Sequence, residues 1–203
     1  MLWVHKNSHE HEADAGPVRD KNAGNLDMTT TNCVKGLIVM ISLAWGAASA
    51  QAHVTIQPKE ATAGSYFQMT FTVPHGCDGK ATVLLRVKVP DGVISVKPQM
   101  KPGWTVEIKK RNLDTPQATG HGQTISETVD EVAWRGGPLP DNLYDNFGLV
   151  VKLPDMPGKD LYFPVVQECE QGVNRWIEIP QKEKPGEELR EPAPALHLQS
   201  KSP

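Results

Sequence analysis

The chain has 203 residues, with 21 Lys and Arg against 24 Asp and Glu and a formal net charge of -3. Its 38% hydrophobic and 22% charged content is that of a globular protein, which excludes a disordered or collagen-like chain. No run of Lys and Arg forms a nucleic-acid footprint, and a single apolar stretch excludes a multi-span membrane protein.

Residues 1–27 are polar and without period, and Met28 opens a more conventional start. We read Met28 as the initiator and 1–27 as an over-extended gene start, so that the spaced His5, His9 and His11 never reach the folded protein. Residues 36–46 (GLIVMISLAWG) are apolar, preceded by Lys35 and followed by small residues. The run is too short to span a bilayer and has the length of a signal-peptide core. Ala50-Gln51-Ala52 fits an A-x-A cleavage site, so 28–52 is expected to be removed and the mature chain to begin at His53. Residues 53–203 are then the length of one domain.

Along the mature chain, residues 66–73 alternate and stop at Pro74-His75-Gly76. Residues 81–89 are β-branched and alternating, closed by the turn sequence Pro90-Asp91-Gly92. Further strands are expected at 93–96, 104–108, 124–134, 147–153, 161–166 and 175–179, with turns at Gly136-Gly137-Pro138 and Pro157-Gly158-Lys159. Evenly spaced short strands without helices predict an all-β sandwich or barrel. The Pro- and charge-rich residues after 180 read as an exposed connector, and Ala195-Leu196-His197-Leu198 as a final edge strand. Cys33 leaves with the signal peptide. Cys77 and Cys169 then read as one disulfide, which would contribute about 4 kcal/mol on the chain-entropy model. The competing reading is a thiolate pair for Cu(I), against which neither cysteine has a CxxC or methionine cluster beside it.

A mature N-terminal histidine is chemically special. Its α-amine and imidazole Nδ1 can close one chelate ring, and nitrogen donors in a tetragonal set favour Cu(II). The plainer reading makes His53 simply the first residue after a cut.

The segment from His53-Val54-Thr55-Ile56-Gln57-Pro58-Lys59-Glu60 to Gly64 resembles the opening of the YcnI-like secreted copper-binding domains. So do Val73-Pro74, Val89-Pro90-Asp91-Gly92-Val93, Pro102-Gly103-Trp104 and the stretch from Glu131 through Trp134 to Gly137. The last match joins Phe163-Pro164-Val165-Val166-Gln167, Cys169, Gly172 and Trp176, and the resemblance spans 53–180. It implies an immunoglobulin-like or cupredoxin-like sandwich that binds Cu(II) through a mono-histidine brace, in the periplasm, as a metallochaperone beside a copper importer or another copper chaperone. By position the ligand set is His53, Glu60 and Trp176. An indole nitrogen is a poor donor, so Trp176 is expected to shield the metal. Glu127 and Glu131, both placed on one face of a strand by their spacing, are rival carboxylates. The Gln167-x-Cys169 pattern with Cys77 is a feature of the Gram-negative branch, and nothing after residue 180 is apolar enough for a membrane anchor.

His75 and His121 read as exposed turn residues, His197 lies beyond the resemblance, and Met69, Met100 and Met156 are too scattered for a Cu(I) site. A polysaccharide monooxygenase also begins at a histidine but needs a second, internal one and a flat aromatic face. A metal-free immunoglobulin-like interaction module is the third class. No P-loop, GxGxxG, HExxH or Ser-His-Asp elbow appears, so hydrolase and nucleotide-binding readings have no support.

Overall fold

Alternation of buried and exposed side chains is clearest in β3, Tyr66–Val73, where Met69, Phe71 and Val73 turn inward and Gln68, Thr70 and Thr72 do not. That period-two pattern buries one face of a sheet. Each large apolar side chain so buried contributes about 1.5–3 kcal/mol. This computed structural model describes residues 53–119, 122–181, 184, 186 and 188–201. The expected signal peptide at 28–52, the 1–27 segment, Cys33, Ala52 and His121 lie outside the described residues.

Before β3 come β1, Thr55–Gln57, and β2, Glu60–Thr62. After it follow β4, Thr82–Lys88; β5, Ile94–Pro98; β6, Trp104–Ala118; β7, Thr124–Leu139; and β8, Asp145–Lys152. The chain ends with β9, Asp160–Tyr162; β10, Val165–Cys169; β11, Val173–Trp176; and β12, Ala195–Gln199. No helix occurs among the described residues, so none is long and apolar enough to cross a membrane.

One sheet has the order β1-β3-β8-β5 and a second the order β11-β10-β4-β7-β6, with a small third sheet β2-β12-β9. The fold is an all-β immunoglobulin-like sandwich. Its core joins Phe71 and Phe147 of the first sheet to Leu85, Trp134, Val165 and Trp176 of the second. Edge-to-face rings tie the layers, Phe71 to Phe163 at 5.8 Å and Trp134 to Phe147 at 5.5 Å.

Four expectations are corrected. The strand expected at 161–166 is two strands. Pro164 has no N–H to continue a ladder, and at Phe163-Pro164 the chain leaves β12 for β4. Gly136-Gly137-Pro138 is no turn but part of β7, where both glycines have positive φ (132° and 83°). A Cβ on Gly136 would lie 2.4 Å from the Gly103 carbonyl, so only glycine permits the approach of the β6 entry. The strand expected at 104–108 runs on to Ala118, pairing β7 as a ribbon whose outer half is polar on both faces and so has no hydrophobic period. Finally, β12 is not an edge strand. It pairs β2 in parallel and β9 antiparallel, with Leu196 and Leu198 fully buried.

Candidate metal centre

His53 enters β1, whose Thr55 pairs with Thr72 of β3 while Val54 and Ile56 fill the core. Its half-buried ring meets the indole of Trp176 edge to face, with centroids 5.3 Å apart and planes at 88°. The strand pairing of β11 with β10, Trp176 opposite Val165, delivers the tryptophan to this position. Trp176 is only 1% exposed. Packing therefore places side by side two residues that the family resemblance had assigned to one site.

The indole is fixed from behind. Trp176 Nε1 donates to Gln167 Oε1 at 3.1 Å. The same amide's Nε2 donates to the His75 carbonyl at 2.7 Å and to Thr82 Oγ1 at 2.8 Å. Gln167 is fully buried, and its oxygen and both N–H groups are used. Two residues on, Cys169 forms the disulfide to Cys77, with Cα atoms 5.9 Å apart. With its N–H committed, Trp176 presents a ring rather than a nitrogen donor to His53.

A second wall comes from the C-terminal connector. His53 Nε2 lies 3.2 Å from the Arg190 carbonyl. Glu178 Oε2 accepts from the backbone N–H of Arg190 (2.8 Å) and of Glu191 (3.1 Å). Glu178 N donates to the Glu191 carbonyl and Ala193 N to the Glu178 carbonyl, so residues 190–193 form a strap laid along 176–178. The connector is exposed at its described residues between 181 and 190 except half-buried Leu189, as expected, and its Arg190 carbonyl reaches His53. Gln167, Glu178 and Arg190 went unassigned in the sequence; Gln167 stood in the Gln-x-Cys pattern, while backbone partners leave no signal in residue type.

The carboxylates are placed differently. Glu60 is exposed on β2, and its Oε2 accepts from Gln199 Nε2. Glu127 pairs with Lys110 and Glu131 with Arg86. Those two do not share a face. Lys110 opposes Val129 and Lys109 opposes Glu131, so Asp130 is an extra residue that inverts the alternation between them. Among the described residues, none of the three bonds to His53. Asp130 itself faces Lys88 at 2.5 Å, with Arg111 and Lys109 beyond. The Lys88 hydrogen bond holds its carboxyl below the ordinary value of 3.8, against the opposing effect of burial, with the charges of Lys88, Lys109 and Arg111 adding to it.

His75 is half-buried rather than an exposed turn residue, because its carbonyl serves Gln167. His197 projects from β12 to Asp160 at 2.8 Å. Among the described residues, no group of three or more His, Cys, Asp or Glu side chains is placed to hold a metal ion. A centre built on an α-amine draws one donor from the backbone and would not form such a group.

No curated protein matches the chain. Among solved structures, it is similar to an uncharacterized protein from Nocardia farcinica with an immunoglobulin-like fold, at 26% identity and a TM-score of 0.56. That similarity covers 73% of this chain and 99% of the other. A family model matches residues 53–198, from His53 through β12 and past the span read from the sequence. The chain belongs to the family described as a domain of unknown function (DUF1775).

Proposed function

We propose that the protein is an exported, YcnI-like Cu(II) carrier of the periplasm whose cargo is held at His53 once the chain is cut behind Ala52. The docking of His53 on Trp176 at 5.3 Å carries this reading, since it gives the histidine a fixed, half-buried setting. Among the described residues, its Nδ1 has no hydrogen-bond partner. The α-amine and Nδ1 would supply two nitrogens, and the resemblance assigns a carboxylate oxygen to Glu60, which would exchange its bond to Gln199 for the metal. Trp176 walls the site. With one histidine the remaining positions stay exchangeable, which suits transfer to a copper importer or second chaperone rather than catalysis.

A metal-free interaction module is the second reading. It is favoured by the burial of Trp176 and its bond to Gln167, which a plain core tryptophan also shows.

Cu(II) titration of protein beginning at His53, beside protein with one residue added before it, separates the two. The carrier gives a stoichiometric signal that the extension abolishes, and equal binding by both forms overturns it. Glu60→Gln is expected to weaken binding with the fold unchanged; unaltered affinity would remove Glu60 from the ligand set.

A further inference from the structure

We infer that the C-terminal strap belongs to the centre, with the Arg190 carbonyl holding His53 in the tautomer that the proposed chelate requires. A carbonyl oxygen only accepts, so the ring nitrogen 3.2 Å from it, Nε2, carries the proton. A neutral imidazole has one N–H, and the lone pair is therefore on Nδ1. Only Nδ1 is close enough to the backbone to close a ring with the residue's own α-amine. The opposite tautomer would place a proton where the metal binds and would set two acceptors, Nε2 and the carbonyl, against each other. A ligand histidine whose other nitrogen donates to a carbonyl is fixed in tautomer and orientation, and loss of such a partner costs about 10- to 100-fold in metal affinity.

Glu178 sets the carbonyl's position. Its carboxylate grips the N–H groups of Arg190 and Glu191, and its backbone pairs with Glu191 and Ala193. Beyond the grip, β12 anchors the strap through Leu196 and Leu198 in the core. Trp176 lies two residues before Glu178. One short stretch, 176–178, therefore governs both walls of the histidine: it supplies the indole directly and aims the Arg190 carbonyl through the strap. Glu178 is a positioning residue that touches neither the ring nor the cargo.

The role of the site rests on the copper reading, but the tautomer does not, and it is measured without metal. In metal-free protein beginning at His53, labelled with 15N-histidine and assigned by His53→Gln, the ring should show a protonated Nε2 whose proton survives exchange and an unprotonated Nδ1. Glu178→Ala should lose that proton signal to exchange and bind Cu(II) about 10-fold more weakly or worse. Glu178→Gln, which keeps an acceptor oxygen, and Arg190→Ala, which keeps the carbonyl, should both resemble the parent. A ring protonated on Nδ1 in the parent overturns the inference, as does an Nε2 proton that survives unchanged in Glu178→Ala. If the parent binds no copper while the protected Nε2 proton is present, the carrier reading fails and the tautomer assignment stands.

Discussion

Gln167 and Trp176 share a hydrogen bond of 3.1 Å from the indole Nε1 to the amide oxygen, inside a fully buried network. The amide's orientation follows from its partners. Its NH2 must face the His75 carbonyl and the Thr82 hydroxyl, which leaves the oxygen for the indole. The ring that meets His53 is thus held from the disulfide end of β10.

Replacing Gln167 by Leu strands the indole N–H of Trp176 in the interior and takes a donor away from the His75 carbonyl and the Thr82 hydroxyl. Unsatisfied buried groups cost about 1–3 kcal/mol each, so a loss of at least about 2 kcal/mol in urea unfolding is expected. A change below about 0.5 kcal/mol would show that the network does not hold Trp176. The companion Trp176→Phe should keep the fold, lose about 1–3 kcal/mol and alter the Cu(II) spectrum. An unchanged spectrum would remove Trp176 from the site.

Leu196 and Leu198 are fully buried on the middle strand of the third sheet. Leu196→Ala should cost about 2–5 kcal/mol, measured by thermal or urea unfolding. A chain ending at residue 194 should not fold cooperatively, because β2 and β9 lose their shared partner. Cooperative unfolding of that chain by circular dichroism would show β12 to be dispensable.

The disulfide closes a loop with a sequence separation of 92. Cys77→Ser with Cys169→Ser should destabilise the protein by about 2–5 kcal/mol, read as a lower unfolding midpoint. Equal midpoints for parent and variant, both confirmed by thiol titration, would contradict this.

Asp130 has a depressed folded-state pKa, so its contribution to stability is present above the ordinary value of 3.8 and fades as pH falls through the lower folded value. Asp130→Asn should therefore lower stability at pH 7 and flatten the decline as pH falls below the ordinary value of 3.8. Parallel stability profiles for parent and variant across that range would rule the carboxylate out.

Much of the sandwich was legible because its period is local. The alternation in 66–73 has one explanation whatever the partner strand, and β3 occupies those residues. The cysteine pairing was legible for a similar reason, since two cysteines left in a chain read as exported have one simple solution, and Cys77 and Cys169 are bonded. Elsewhere the local pattern was silent or ambiguous. Leu196 and Leu198 alternate in the same way on an edge strand or an interior one, and only the docking of β2 and β9 on both sides decides which. Spacing placed Glu127 and Glu131 on one face, but spacing cannot register an extra residue such as Asp130, which depends on how β6 lies against β7.

The sequence by itself determined the all-β class and the cysteines that pair, and it singled out His53 as the histidine whose proposed chemistry depends on a cut before it. These follow from side-chain type, apolar period and the signal-peptide pattern, none of which needs a neighbour in space. The family resemblance set Trp176 beside His53, and tertiary structure alone decided the geometry of that contact and the approach of the Arg190 backbone carbonyl. Both partners lie far from His53 along the chain and are set in place by pairings between near neighbours, β10 with β11 and Glu178 with the strap. One of them is a carbonyl, a group that every residue carries and that acquires a role only from where the fold places it.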